Sequence, residues 1–163
     1  MEKHTFELAL KKCNLSKIVQ NGVSFQQQIA GSGRIELLPL WQEHISVLAD
    51  EDRLGEVLVN YLNNALKYAS AAQKIMVEVT VEEANVRVSV HDRGPGLTLI
   101  QQQRIWERFY QTKIPAHGTA ERSGLGLGLY ISKIIIEQHK GQVGVESRLG
   151  EGSTFWFTLP LSE

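Results

Sequence analysis

Two neighbouring segments with a period of two residues constrain the fold of this chain most strongly. Residues 74–81 and 85–92 both have the composition of β-strands, and the residues between them predict a short turn. In the second segment Val86, Val88 and Val90 share one face, and the opposite face is polar. Further strands are predicted at residues 142–147 and 153–159, with shorter β-like runs at 34–38 and 45–48.

The remaining segments predict helices that alternate with these strands. Residues 6–29 read as one helix with an irregularity at Asn21 and Gly22, and a short helix is expected at about residues 100–110. Asp50 is a capping residue for a helix with an apolar stripe, which consists of Leu54, Val57, Leu58, Tyr61, Leu62 and Ala65. A glycine-rich turn opens the last helix, which ends near residue 141. The mixture predicts an α+β sandwich with helices on one sheet face.

Composition excludes several classes of protein. The 163 residues are 42% hydrophobic and 21% charged, which suits one domain with a substantial core. The net charge of −1 gives no signal for nucleic acid or an anionic membrane. The single cysteine provides neither a disulfide framework nor a thiolate metal site, and favours a reducing compartment. No apolar run reaches the roughly 18 residues of a membrane span, and the first residues do not have the apolar core that is typical of a signal peptide.

The predicted helix after Asp50 contains three asparagines, which are poor helix formers. At about 100° per residue, Asn60, Asn64 and Lys67 lie on one narrow stripe beside the apolar one, and Asn63 lies off it. A solvated helix edge is the structural interpretation. The functional interpretation is a neutral oxygen ligand for a hard cation such as Mg²⁺, with a lysine one turn on for phosphate.

Asp92 ends the second alternating strand with the same parity as the buried valines. A carboxylate on that side needs hydrogen-bond donors, because burying it unpaired costs several kcal/mol. A turn within DRGPG is one explanation. The other is a carboxylate that accepts a hydrogen bond from the exocyclic amine of a bound base, with Gly94 and Gly96 allowing close approach.

The GLGLG sequence at residues 124–128 enters a helix, and such an entry offers free N–H groups to phosphate. Its spacing matches neither the dinucleotide fingerprint nor the P-loop. The preceding segment has a local excess of positive charge, which fits either a mobile flap over an anion or a solvated loop. The five histidines show no metal-ligand spacing.

Taken in order, these motifs resemble the catalytic and ATP-binding domain of sensor histidine kinases, which has the Bergerat fold. DRLGEVLVNYLNNALKY resembles the N box of that family, DRGPG the G1 box, WERFY the F box, GLGLGL the G2 box, and GEGSTF its last glycine turn. The resemblance implies a two-layer α/β sandwich, in which helices pack on one face of a mixed, mostly antiparallel sheet. It also implies an ATP lid at about residues 107–125.

The resemblance further implies ATP and Mg²⁺ as cofactors and a role for each matching position. The implied catalytic residues are Asn60, Asn64 and Lys67, and Asn64 is the Mg²⁺ ligand. Asp92 accepts from the adenine amine. The implied nucleotide contacts are Asn60, Asn64, Lys67, Tyr68, Asp92, Gly94, Gly96, Lys113, Arg122, Gly124, Leu125, Gly126, Leu127, Gly128 and Thr154. Phe109 helps the lid communicate with the partner domain.

Within this fold the residue at position 60 separates two activities. The gyrase, HSP90 and MutL types have a water-activating glutamate one turn before the Mg²⁺ asparagine, whereas this chain has Asn60. The difference favours phosphoryl transfer to a protein over hydrolysis. The chain departs from the family at Trp106, where phenylalanine is usual, and at Gln111, where arginine is frequent, so that Lys113 or Arg122 supplies the phosphate contact instead.

The resemblance also sets the expected context of the chain. Residues 1–5 are expected to be a linker remnant or an artificial start, and 6–163 the catalytic domain. His4 lacks the acidic neighbour and the helical hairpin of a phosphoacceptor, so the acceptor belongs to a separate dimerisation domain, with a response regulator downstream. The isolated domain is expected to be monomeric and cytoplasmic, without nucleic-acid or direct membrane contact, whether or not the parent is membrane-anchored. The alternatives are a Bergerat-fold ATPase and a degenerate module that binds nucleotide or a partner without transfer.

Overall fold

The computed structural model describes residues 6–31, 33–40, 42–70, 72–111 and 127–162. The strands are β1 Lys11–Asn14, β2 Ile35–Leu37, β3 Ser46–Ala49, β4 Ile75–Glu82, β5 Asn85–Asp92, β6 Gln142–Arg148 and β7 Gly152–Pro160. The helices are α1 Leu15–Ala30, α2 Glu51–Tyr68, α3 Leu99–Arg104 and α4 Gly128–Gln138. Within these ranges no helix combines the length and apolar character that crossing a bilayer requires.

The main sheet has five strands in the order β2-β4-β5-β7-β6. Among the described strands of this sheet, β2 and β4 run parallel and the other neighbours are antiparallel. The predicted mixed, mostly antiparallel sheet is therefore confirmed. The predicted hairpin is formed by β4 and β5, whose turn includes Glu83 at a φ of 49°.

The helices cover one face of this sheet, as predicted. On that face Val77, Val88 and Phe157 from three adjacent strands are almost fully buried beneath α2 and α4. The alternate residues lie on the opposite face. Among them, Arg87 stacks on Trp156, with its guanidinium carbon 4.1 Å from the ring centroid. A sheet with one covered face explains the period-two pattern of the sequence.

The predicted N-terminal helix begins later than expected. Residues 11–14 form β1, which pairs antiparallel with β3, and α1 starts only at Leu15. The side chain of Asn14 accepts hydrogen bonds from the backbone N–H groups of Ser16 at 3.1 Å and Ile45 at 3.0 Å. Asn14 therefore caps the helix and ties its start to the small sheet.

The predicted irregularity at Gly22 is not present, because α1 continues through it to Ala30. A Cβ at Gly22 would lie 2.5 Å from the Cδ2 atom of Leu58 on α2. The glycine is needed for close helix packing and not for a break in the helix.

The predicted helix at residues 100–110 is shorter in the structure, where α3 ends at Arg104. Thr98 starts α3 with a reciprocal capping box to Gln101. Residues 105–110 form turns, and Phe109 has a φ of 65° and is 55% exposed. Trp106 packs towards the core, with its ring centroid 6.0 Å from that of Phe155.

Candidate functional site

The three asparagines of α2 have three different environments. Asn60 lies where α2 meets the start of α4. Its amide nitrogen donates to the carbonyl oxygen of Gly128 at 3.3 Å and to the hydroxyl of Ser132 at 3.2 Å. Asn60 therefore sets the position of the first turn of α4 relative to α2.

Asn63 has a structural role. It lies off the stripe predicted for the site, and its side-chain oxygen accepts a hydrogen bond from Gln26 of α1 at 2.8 Å. Gln26 is only 3% exposed, so this bond satisfies a buried amide. The contact joins α1 to α2 and explains the cost of this asparagine to the helix.

Asn64 has no such explanation in the fold. Its amide nitrogen is buried and has no hydrogen-bond partner among the described residues. A buried amide without a partner costs about 1–3 kcal/mol, so packing alone does not account for it. The side chain fits a polar ligand, and its neutral oxygen suits a hard cation such as Mg²⁺.

The C-terminal turn of α2 carries Lys67 and Tyr68. The ammonium of Lys67 lies 5.1 Å from the ring centroid of Tyr68, and both side chains are half-buried. Tyr68 also lines the recess that contains Asp92. On α2, Asn60 therefore lies beside the start of α4 and Tyr68 lies beside this recess. At the usual helical rise the two positions are roughly 12 Å apart.

Asp92 has the inward orientation that its parity predicts, and it is 7% exposed. One carboxylate oxygen accepts a hydrogen bond from the backbone N–H of Gly94 at 2.8 Å, which is the turn contact of the structural interpretation. Burial raises the pKa of Asp92 above its ordinary value, and the N–H groups of Gly94 and Ser153 partly offset that effect. Asp92 also lines the recess, so the turn contact is compatible with a binding role.

The recess beside Asp92 has apolar and backbone walls. It is a narrow recess with a cavity volume of about 10 Å³, lined by Tyr68, Asp92, Pro95, Gly96, Leu97, Ile105, Ser153 and Phe155. Gly96 has a φ of 79°, and a Cβ there would lie 2.1 Å from the carbonyl oxygen of Arg148. A Cβ on Gly94 would lie 2.9 Å from the carbonyl oxygen of Tyr68. Both glycines therefore allow the backbone to close around the recess.

The other end of the site is the N-terminus of α4. Its first residue is Gly128, and the capping residue Leu127 provides no side-chain hydrogen bond. Within the part of the chain that the structure describes, no side-chain cap satisfies the first N–H groups of this helix, an arrangement that favours anions. Five predicted contacts lie outside the described residues: Lys113, Arg122, Gly124, Leu125 and Gly126.

Among the predicted site residues that the structure describes, Thr154 does not line the recess. It pairs with His91 across β5 and β7, and its hydroxyl lies 2.8 Å from the Nδ1 atom of His91 on the open sheet face. Ser153 pairs with Asp92 and lines the recess in its place. The prediction missed Ser153 because side chains alternate along a strand, and the pairing of β7 with Asp92 was not known.

Comparison with known proteins identifies the family. Residues 49–163 match the family described as histidine kinase-, DNA gyrase B-, and HSP90-like ATPase. The match covers more than half of the 163 residues. The chain belongs to this family. The resemblance seen in the sequence motifs is thereby confirmed.

Within this ATPase family the chain is of the histidine kinase type. It is 38% identical over 114 residues to the sensor protein SrrB of Staphylococcus aureus, a match that covers 70% of this chain and 19% of the relative. The chain thus spans about a fifth of the length of this relative.

Solved structures agree with this assignment. Full-length ShkA in complex with AMPPNP has a TM-score of 0.77 and 31% identity, covering 98% of this chain and 32% of that one. The nucleotide-free catalytic domain of the histidine kinase ThkA has a TM-score of 0.75 and 27% identity, covering 94% and 96%. The mycobacterial sensor histidine kinase MprB, at 20% identity, has a TM-score of 0.76, covering 94% and 98%, and supports the fold.

Proposed function

We propose that this domain binds Mg²⁺ and ATP and transfers the γ-phosphoryl group to a histidine on a separate helical dimerisation domain. One observation carries the proposal. A recess with a buried carboxylate lies at one end of the α2 stripe that carries Asn60 and Asn64. The N-terminus of α4, which the side chain of Leu127 does not cap, lies at the other end. Such a cleft fits a ligand with a base at one end and phosphates at the other.

Each described residue has a distinct part in this proposal. Asp92 accepts a hydrogen bond from the adenine amine, and Tyr68 packs beside the base. The first N–H groups of α4 and the ammonium of Lys67 bind phosphate oxygens. The oxygen of Asn64 would hold Mg²⁺, which when bound neutralises phosphate charge. Catalysis then consists mainly of positioning and charge stabilisation.

Asn60 supports transfer in preference to hydrolysis. An amide does not accept a proton from water at neutral pH, so Asn60 does not serve as a general base. Its nitrogen is already engaged with Gly128 and Ser132. We assign it a role in positioning the phosphate-binding end of α4.

The domain on its own is expected to bind ATP, to release phosphate slowly and not to label itself. Asn60 occupies the position of the water-activating glutamate and cannot take its role, and none of the five histidines has the sequence context of an acceptor. The experiment is incubation with γ-labelled ATP, followed by assays for free phosphate and for acid-labile phosphate on the protein. Rapid phosphate release would support an ATPase instead, and acid-labile label on one of its five histidines would contradict a separate acceptor.

Acidification is expected to weaken ATP binding through Asp92. The ionised carboxylate is the better acceptor, so its contribution is complete above the pKa of Asp92 in the folded protein and is lost as the pH falls through it. Because burial raises that pKa, the loss begins above the ordinary value of 3.8. Titrations at decreasing pH measure it, with Asp92→Asn as the control because ATP itself also titrates. Parallel pH profiles for the two proteins would contradict the assignment.

The wider context is proposed from the sensor kinases that the domain resembles. We place the dimerisation and phosphoacceptor domain in the same kinase, with a response regulator as the downstream partner. The domain itself is proposed to act in the cytoplasm and to be monomeric in isolation. We also propose that residues 107–125 form the ATP lid, to which Lys113, Arg122 and the glycines of the G2 box contribute.

A further inference from the structure

A serine that does not line the recess makes hydrogen bonds to two of the residues that do. Ser147 lies on β6 and pairs with Ser153 of β7. Its hydroxyl makes three contacts: with the carbonyl oxygen of Gly152 at 2.9 Å, the backbone N–H of Leu97 at 2.7 Å, and the hydroxyl of Ser153 at 2.8 Å. Leu97 and Ser153 both line the recess beside Asp92, whereas Ser147 does not.

The direction of each of these hydrogen bonds follows from counting hydrogens. A serine hydroxyl has one hydrogen to donate and two lone pairs to accept with. The carbonyl of Gly152 can only accept, so the hydroxyl hydrogen of Ser147 points to it. The N–H of Leu97 can only donate, so this bond occupies one lone pair of the Ser147 oxygen. The remaining contact uses the second lone pair of Ser147, and Ser153 is therefore the donor in it.

The only hydroxyl hydrogen of Ser153 is therefore used in its hydrogen bond to Ser147. Only its lone pairs remain, so Ser153, which lines the recess, can only accept hydrogen bonds from a ligand there. The Asp92 carboxylate next to it is also an acceptor when ionised. The recess thus offers acceptors to a purine, which suits the amino group at position 6 of adenine and disfavours a keto oxygen at that position.

We propose that Ser147 is a positioning residue that makes this recess selective for 6-amino over 6-keto purines. The inference rests on the proposed ATP site. Without the Ser147 hydroxyl, the hydroxyl of Ser153 is free to rotate and to donate to a keto oxygen. Selectivity therefore depends on a side chain that lines no part of the recess.

The experiment compares ATP with inosine triphosphate, which carries the keto oxygen but lacks the 2-amino group of GTP. Affinities are measured by calorimetric titration for the unmodified chain, Ser147→Ala and Ser147→Thr. We expect Ser147→Ala to reduce the ratio of ATP to inosine triphosphate affinity by roughly three- to tenfold, the effect of about one hydrogen bond, mainly through tighter binding of the keto nucleotide. Ser147→Thr keeps a hydroxyl and is expected to retain the ratio.

Two further variants serve as controls. Ser89→Ala removes a buried serine hydroxyl on β5, away from the recess, and is expected to leave the ratio unchanged. Ser147→Cys is measured if the alanine variant does not fold. It keeps the approximate size of the side chain but hydrogen-bonds weakly, so the same reduction in the ratio of ATP to inosine triphosphate affinity is expected.

Three outcomes contradict the inference in different ways. An unchanged ratio in Ser147→Ala would overturn the selectivity role, and an equal loss of both nucleotides would show that Ser147 only supports the fold. Failure of the unmodified chain to bind either nucleotide would instead overturn the proposed function on which the inference rests.

Discussion

Asp92→Asn is expected to weaken ATP binding by about one to two orders of magnitude. The substitution removes the charged acceptor of the adenine amine, and the new amide can present an N–H donor to that amine instead. Discrimination against GTP should fall as well, since the carboxylate is the group that meets the adenine amine. A competition titration of ATP against GTP measures both effects.

The same substitution is expected to leave the fold intact. The amide oxygen can still accept the N–H of Gly94, which now contacts the carboxylate at 2.8 Å, and a buried charge is removed. We therefore expect the free energy of unfolding to change by less than about 1 kcal/mol. Asp52→Asn, at an exposed position in the first turn of α2, is the matched control for loss of charge and should bind ATP normally. Unchanged affinity and selectivity in Asp92→Asn would remove Asp92 from the base pocket.

Asn64→Ala is expected to remove most of the Mg²⁺-dependent part of ATP affinity without destabilising the domain. Its buried amide nitrogen makes no hydrogen bond to any described residue, so the substitution breaks none of those contacts. Alanine also favours the helix by up to roughly 0.7 kcal/mol per residue over asparagine. Calorimetric titrations with and without Mg²⁺ give the metal-dependent part directly, and denaturant unfolding gives the stability.

The adjacent variant Asn63→Ala is the control, and the opposite result is expected. It leaves the buried Gln26 amide without the acceptor it contacts at 2.8 Å, which costs about 1–3 kcal/mol of stability. ATP binding should retain its full dependence on Mg²⁺. If Asn64→Ala gains as much affinity from the metal as the unmodified chain, the metal ligand lies elsewhere.

The parts of the fold with strong periodicity were predictable from the sequence. The α2 stripe and the alternation in β5 each leave one face apolar, and both segments lie as predicted. The inward direction of Asp92 followed from the same parity. These patterns are local, so they do not depend on which element packs next.

The errors occurred where tertiary contacts decide the local structure. Residues 11–14 have no strand signal strong enough to separate them from α1, and β1 exists because β3 pairs with it. The place of Ser153 in the site depends on the register between β5 and β7, which a single sequence does not specify. The difference between Asn63 and Asn64 likewise depends on the position of Gln26 in α1.

The central claim is transfer of the γ-phosphoryl group to a histidine outside this chain, and one labelling experiment tests it directly. The chain is mixed with the helical phosphoacceptor domain of its own kinase and γ-labelled ATP, and acid-labile phosphate is measured on each protein. We predict label on the acceptor histidine that is absent when that histidine is replaced by glutamine and strongly reduced with Asn64→Ala. The yield should be modest, because separate proteins lack the effective concentration of a linked pair. An acceptor domain that stays unlabelled while the chain binds ATP and rapidly releases free phosphate would contradict the account.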